Sequence, residues 1–202
     1  MEIKAKYKQR PWLKFYPEGV PADIDVPEKS LPEVFDEAVD EWQDRTAIIF
    51  YGNKISYKEL KEQVNRFATA LSDLGVKQGD KVALFLLNCP QFIIAYFGAL
   101  KVGATLTPIS PVYVSSEVKH QIEDSEAEVI VCQDLLYDRV ERTGVKLRDV
   151  ILTGIGEYLP ALKKFMGKSV LRSVYKKMEV PSTRIFEREG FYQFQDLIKK
   201  YP

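Results

Sequence analysis

Segments with the pattern of strands alternate with segments with the pattern of helices five times between residues 46 and 152. Two of the strand segments, Lys81 to Leu86 and Glu128 to Cys132, are apolar nearly throughout, as expected for strands that are covered on both faces. Regular alternation of this kind is typical of a parallel sheet with helices packed against it. The sequence therefore predicts an α/β fold with a mainly parallel sheet flanked by helices on both faces.

The clearest helix is predicted over residues 56–74. Ser56 and Glu59 have the spacing of a capping box, in which the hydroxyl and the carboxylate each satisfy a free backbone N–H at the start of a helix. Gly75 stands where a left-handed glycine commonly ends a helix. A second helix, over residues 90–102, is apolar on almost every side, which indicates burial among several neighbours. The apolar positions of the first helix recur at steps of three and four: Tyr57, Leu60, Val64, Phe67, Leu71 and Leu74.

Two regions are predicted along the chain. Residues 1–29 carry four prolines and are expected to form an extended arm, because proline fixes φ and removes a backbone donor. Residues 30–202 are expected to form one α/β subdomain that opens with a helix at Ser30. A short helix over residues 191–199 is predicted as its last element.

The composition excludes several classes of protein. Lys plus Arg and Asp plus Glu both number 29, and a general nucleic-acid binder would show a basic excess. A single histidine, His120, excludes a His-rich metal site. Cys89 and Cys132 form no CxxC motif and are predicted to be buried, reduced thiols. No targeting segment is visible, and the longest apolar run, Phe92 to Leu100, is far shorter than the ~20 residues that cross a bilayer. We therefore expect a cytoplasmic protein.

Motifs that carry their own chemistry are incomplete in this sequence. Gly167-Lys168-Ser169 resembles the end of a P-loop, but Leu162 occupies the position of the required glycine. Gly154-Ile155-Gly156 lacks the third glycine of a dinucleotide-binding turn. His120 lies in a predicted helix without a nucleophile beside it. We accordingly predict no catalytic residue and no metal ligand within residues 1–202.

The last fifty residues are basic. Residues 157–200 contain ten Lys or Arg and five Asp or Glu. A predicted helix over residues 168–177 has one apolar and one basic face. Such a helix can lie on an anionic membrane surface, and the alternative is an ordinary solvated face. Both interpretations stay open at this point.

Two blocks of the sequence are Ile55-Ser56-Tyr57-Lys58-Glu59-Leu60 and Leu100-Lys101-Val102-Gly103-Ala104-Thr105-Leu106-Thr107-Pro108. They resemble the first and second core motifs of the adenylate-forming, AMP-binding superfamily. Gly79 to Ala83 and Asn88 to Phe92 have the usual spacing between these motifs. The stretches Ser110 to Tyr113 and Glu117 to Ser125, with the arm from Pro11 to Pro21, resemble long-chain fatty-acid–CoA ligases in particular.

The resemblance implies a reaction and a set of cofactors. Members of the family activate a fatty acid with ATP and Mg²⁺ to an acyl-adenylate and pyrophosphate, and then transfer the acyl group to coenzyme A (CoA). In some members the loop equivalent to Ser110, Pro111, Val112 and Tyr113 lies near the nucleotide end of CoA. Tyr113 is then a candidate to stack on the purine and Arg139 a candidate to meet a phosphate. The alternative for Tyr113 is packing on the core.

The sequence also departs from the pattern of the family. Val114 stands where relatives often have a capping threonine, so Ser115 is expected to cap the next helix. The phosphate-binding loop, the Thr-Glu pair, the ribose-binding aspartate and the lid lysine of the family are not found in residues 1–202. We therefore expect the N-terminal part of a fatty-acid–CoA ligase that is inactive alone and that self-associates, with the arm at 1–29 as one means. The alternatives are a non-catalytic dimerisation or binding module, and a ligase for an aryl or short acyl acid.

Overall fold

The computed structural model describes residues 7–160 and 183–201 and divides into two units, residues 1–30 and residues 31–202. Our numbering of elements follows the chain. The strands are β1 (Thr46–Phe50), β2 (Asn53–Ser56), β3 (Lys81–Phe85), β4 (Thr105–Pro108), β5 (Val129–Gln133), β6 (Asp149–Thr153) and β7 (Phe191–Gln193). The α-helices are α1 (Leu31–Trp42), α2 (Tyr57–Asp73), α3 (Pro90–Lys101), α4 (Ser115–Ser125), α5 (Tyr137–Glu141) and α6 (Phe194–Lys200).

Five parallel strands form the central sheet in the order β4-β3-β5-β6-β7. Successive side chains of a strand point to opposite faces, and both faces of this sheet are apolar. Val82, Leu84 and Val131 join the core on the side of α2, α3 and α6. Ala83 and Ile130 join a second core on the side of α4 and α5. The predicted α/β fold, with helices on both faces of a parallel sheet, is confirmed.

A small antiparallel hairpin, β1-β2, precedes α2. Tyr51 and Gly52 form its turn with φ of 51° and 94°, and two successive positive φ angles match the twist of a tight hairpin. At the end of the hairpin Ser56 caps α2: its Oγ accepts from the Glu59 N–H at 3.2 Å, and Glu59 Oε2 accepts from the Ser56 N–H at 2.8 Å. The predicted capping box is confirmed, and Gly75 follows the helix with φ of 80°.

Helices α2 and α3 pack at very short range. A Cβ added to Gly98 of α3 would lie 2.8 Å from Cδ1 of Phe67 and 3.3 Å from the carbonyl oxygen of Val64. Only glycine allows the two helices this separation. The apolar character of α3 is explained by its burial between α2 and the sheet.

The structure corrects two expectations. The predicted helix over residues 191–199 starts three residues late, because Phe191–Gln193 is strand β7 and pairs with β6. Ser115 does not cap α4. Val114 is the N-cap, and since valine has no side-chain acceptor, the Glu117 carboxylate forms only half of a capping box by accepting from the Val114 N–H at 2.9 Å.

The first unit is described from residue 7 to residue 30. It contains a 3-10 helix at Pro11–Phe15, and Arg10 pairs with Asp23 at 2.8 Å. Phe15 and Ile24 are largely exposed. No helix within the described ranges is both long and apolar enough to traverse a bilayer. The predicted basic helix at 168–177 lies outside the described residues.

Candidate functional site

An arginine of α5, Arg139, donates hydrogen bonds to the backbone of the loop that follows β4. The Tyr113 N–H donates to the Ser110 carbonyl at 3.0 Å, which forms a turn. Arg139 Nη1 donates to the carbonyl oxygens of Pro111 at 2.8 Å and Tyr113 at 3.0 Å. Two residue stretches that are distant in sequence are therefore brought together, and the guanidinium fixes the backbone of the loop.

The side chains of this loop divide between core and solvent. Tyr113 is partly buried and packs against the core beneath α4. Val112 is 79% exposed and Val114 is 57% exposed. The loop thus exposes two valine side chains, and its backbone accepts hydrogen bonds from Arg139.

A shallow groove of about 300 Å³ lies beside the loop. Its lining residues are Tyr113, Ser116, Glu117, His120 and Gln121. His120 is exposed and belongs to this groove. No catalytic role is predicted for His120 from the sequence.

A buried polar cluster lies at the carboxyl ends of β5 and β6. Gln91, Gln133 and Thr153 have at most 1% of their surface exposed. Gln91 Nε2 donates to Thr153 Oγ1 at 3.0 Å and to the Gly154 carbonyl at 2.9 Å. Gln133 Nε2 donates to the Thr153 carbonyl at 3.1 Å. Ligands of open α/β sheets bind beyond the carboxyl ends of the strands, so this cluster lies at the functional edge of the fold.

Glu157 completes the cluster. Its carboxylate accepts from the Gly154 N–H at 2.7 Å and from the Thr153 hydroxyl at 2.7 Å. Burial raises the pKa of the Glu157 carboxyl, and the hydrogen bonds from Gly154 and Thr153 partly oppose that effect. The first N–H of the Gly154-Ile155-Gly156 segment is therefore bound to a carboxylate of the same chain.

One acceptor in the cluster has no donor. Gln91 Oε1 is buried and makes no hydrogen bond within the described residues. An exchange of the amide oxygen and nitrogen would not repair this, because Nε2 faces a carbonyl oxygen that can only accept. Both amide hydrogens of Gln91 are therefore committed to Thr153 and Gly154, which fixes the orientation of the side chain.

Sequence reasoning missed the cluster although signals for parts of it were present. Glu157 stands three residues after Gly154, the spacing at which an acidic side chain returns to the start of a helical turn. Gln91 follows Pro90 in the first turn of an otherwise apolar helix. The contact between Gln91 and Thr153, 62 positions apart, depends on sheet order and could not be inferred from spacing.

The described residues offer no place for a metal ion. Across residues 7–160 and 183–201, no group of three His, Cys, Asp or Glu side chains could hold one. The donor set does not fit Mg²⁺, and we derive no step through Mg²⁺ or ATP from these side chains. The two thiols are buried, and burial raises the pKa of Cys89 to about 11 and that of Cys132 well above its ordinary value.

Comparison with known proteins identifies relatives. The family model for AMP-binding enzymes matches residues 35–182. A long-chain-fatty-acid–CoA ligase from Bacillus subtilis is 32% identical over 160 residues, which are 78% of this chain and 29% of the relative. One from Yersinia pestis is 37% identical over 178 residues, 86% of this chain and 31% of the relative.

Solved structures agree with the fold. A benzoate–CoA ligase from Burkholderia xenovorans superposes with a TM-score of 0.63 at 17% identity, over 84% of this chain and 28% of that one. At this identity the likeness concerns the fold alone. The chain spans about a third of the length of the curated relatives it matches. The family model covers most of the sequence, and the chain belongs to the AMP-binding enzyme family.

Proposed function

We propose that this chain is the N-terminal part of a long-chain-fatty-acid–CoA ligase. The observation that carries the proposal is the identity of 32% and 37% to curated ligases of that name across most of the chain. The overall reaction would convert a fatty acid, ATP and CoA to acyl-CoA, AMP and pyrophosphate. In it the carboxylate attacks the α-phosphate of ATP and releases pyrophosphate, and the thiol of CoA then displaces AMP.

In this proposal the chain forms part of the framework of the ligase and contributes no residue that acts in adenylation. Electrostatic stabilisation of the transferring phosphoryl group is the main catalytic contribution in such chemistry. The sequence motifs that provide it in the family are not found in residues 1–202. We therefore propose that the 202-residue chain is inactive alone and that ATP and Mg²⁺ are held by other parts of a complete ligase.

The loop after β4 is the proposed CoA side of the chain. Val112 and the part of Tyr113 that lines the groove beside the loop would face the nucleotide end of CoA, with Ser110 and Pro111 shaping the turn. Arg139 has one nitrogen committed to the loop carbonyls and further N–H donors with which to meet a phosphate. Support for this assignment is the contact of the Arg139 guanidinium with the backbone of the loop, on which Val112 and Val114 are exposed.

Two alternatives stay open. A ligase for an aryl or short acyl acid would share this fold, as the benzoate–CoA ligase does at 17% identity. A non-catalytic dimerisation or binding module would share the scaffold without the chemistry. We favour a fatty acid because the relatives that are 32% and 37% identical over 78% and 86% of this chain are long-chain-fatty-acid–CoA ligases.

We also propose a location and two contacts. The protein would be cytoplasmic and would touch an acidic membrane through residues 168–177. It would self-associate through the arm at 1–29, whose Phe15 and Ile24 are exposed, since large exposed apolar groups commonly mark an interface. Light scattering of the chain with and without residues 1–29 tests self-association. Co-sedimentation with phosphatidylserine vesicles at low and high salt tests the membrane contact.

The acid specificity is tested on the complete product of the gene. Formation of AMP is measured with ATP, CoA and either palmitate, butyrate or benzoate. We expect turnover with palmitate to exceed that with the other two acids. Preference for benzoate or butyrate would replace the fatty-acid assignment by the second alternative. A gene that ends at residue 202, with no turnover on any acid, would support the binding module.

A further inference from the structure

The point at which the chain leaves β6 is held by side chains from three different elements. Thr153 and Gly154 present two carbonyl oxygens, one hydroxyl and one N–H at this exit. Gln91 of α3, Gln133 of β5 and Glu157 of the following 3-10 helix engage all of these groups at 2.7–3.1 Å. Few strand ends need so many side-chain contacts, because backbone hydrogen bonds usually satisfy them.

The directions of these hydrogen bonds follow from which atoms can donate and which can only accept. The Gly154 carbonyl can only accept, so Gln91 must turn its NH₂ group toward it. Thr153 Oγ1 accepts from Gln91 and donates its single proton to Glu157. The Thr153 hydroxyl thus links Gln91 to Glu157 by accepting from one and donating to the other.

The arrangement leaves the second polar atom of the Gln91 amide without a partner among the described residues. With its NH₂ group so directed, Gln91 leaves Oε1 buried without a donor in the described part of the chain. An apolar residue in this place would avoid the unsatisfied acceptor. Buried polar networks of this kind specify one local geometry, here that of the Gln91 amide and the exit of β6.

We propose that Gln91, Thr153 and Glu157 form a strand-exit clamp, a set of positioning residues that fixes the carboxyl end of β6. The clamp residues need not touch substrate. They hold the backbone of Thr153 and Gly154 as a rigid edge of the cavity in which a complete ligase would carry out adenylation and thioester formation. This inference rests on the proposed function for its link to catalysis, whereas the clamp itself rests on the contacts described above.

The position in the fold agrees with such a role. The clamp lies at the carboxyl end of the sheet, where open α/β enzymes bind their ligands. It ties the first turn of α3 to the exit of β6, and Cys89 at the start of α3 extends the cluster by donating to Gln133 Oε1 at 3.8 Å. A shift of α3 would therefore move the exit of β6 with it.

The clamp is tested first in the 202-residue chain by amide hydrogen exchange. Thr153→Val keeps the shape of the side chain and removes the hydroxyl that joins Gln91 to Glu157. We expect exchange of the Gly154 amide to rise about tenfold, as for loss of hydrogen bonds to a charged group, with Val150 and Ile151 amides unchanged. Thr153→Ser restores the hydroxyl and should restore most of the protection. Thr105→Val, on the exposed β4, is the matched control.

Two results would overturn the clamp. One is an unchanged Gly154 amide in Thr153→Val. The other is an equal loss of protection across the whole sheet, which would show an ordinary contribution to folding. Gln91→Met, which removes both amide donors at similar volume, should reproduce the local effect if Thr153→Val fails to fold.

The link to catalysis is tested in the complete gene product. Thr153→Val should lower kcat about tenfold, as expected when positioning is loosened, while the KM for ATP changes less than twofold. Thr153→Ser should recover most of kcat. Unchanged kcat in Thr153→Val would overturn the positioning role. Absence of ligase activity in the wild-type product would instead overturn the proposed function, and the exchange experiment would still decide whether the clamp exists.

Discussion

Arg139 Nη1 lies 3.0 Å from the carbonyl oxygen of Tyr113 and donates a hydrogen bond to it, although the two residues are 26 positions apart. The same nitrogen donates to the Pro111 carbonyl. A single guanidinium therefore fixes a loop that follows a different strand. Val112 is exposed on the loop that this contact holds.

Replacement of this guanidinium should loosen the loop. Arg139→Gln shortens the side chain and removes the charge, so the carbonyls of Pro111 and Tyr113 lose their donor. We expect the Tyr113 amide to exchange about tenfold faster and the loop to be cut sooner by chymotrypsin. Arg142→Gln, at the residue that follows α5 and pairs with Asp138 at 3.4 Å, is the control. Equal protection of Tyr113 in both variants would contradict the holding role of Arg139.

The close packing of α2 on α3 predicts a large effect of one methyl group. Gly98→Ala places a Cβ 2.8 Å from the ring of Phe67, so we expect a loss of about 1–3 kcal/mol in the free energy of unfolding, measured by urea titration. Phe67→Leu should relieve part of the clash, and the double variant should then lose less than the two single variants added together. Strict additivity would show that the two residues do not compete for space.

Protonation of Glu157 should stabilise the fold. Burial raises the pKa of the Glu157 carboxyl, so the folded state binds this proton more tightly than the unfolded state does. The resulting stability is fully present below the ordinary glutamate pKa and is lost as the pH rises through the raised value. Tyr158 and Cys89 also lie within electrostatic reach of Glu157.

Glu157→Gln removes this titration and provides the measurement. The free energy of unfolding of the wild type minus that of Glu157→Gln should be larger at about pH 4 than at about pH 7. Glu62→Gln, at an exposed position of α2, controls for changes unrelated to Glu157. A difference that is flat with pH, or that grows toward neutral pH, would contradict the raised pKa.

The two cysteines should be unreactive in the folded protein. Burial raises the pKa of Cys89 to about 11, and Cys132 is fully buried, so little thiolate is available at pH 8. A disulfide reagent such as DTNB should label both thiols only as fast as the protein opens, and both at once in urea. Rapid labelling of one native thiol would show that its surroundings are open to solvent.

The parts of the fold that depend on local sequence could be predicted. The capping box of Ser56 and Glu59 and the glycine after α2 follow from spacing, and the structure confirms them. Strand β7 could not be predicted in the same way. Phe191 and Phe194 also fit a helical period, and the choice of a strand for Phe191 depends on pairing with β6, some forty positions earlier.

The candidate site was also predicted only in part. Ser110 to Tyr113 and Arg139 were predicted as residues on the CoA side of a complete ligase, and that role stays a prediction. The hydrogen bonds from Arg139 to the loop carbonyls were not predicted. The strand-exit clamp was missed because Gln91 and Thr153 belong to no motif. Their role depends on burial and on their closeness in the folded chain, and a sequence shows neither directly.

The most direct test of the central claim is pyrophosphate release from ATP and palmitate, in the presence of CoA, by two proteins side by side. One is the 202-residue chain and the other is the complete product of its gene. We predict release by the complete product and none above background by the chain. Turnover by the chain alone would contradict the assignment of the reactive groups to another part of the ligase.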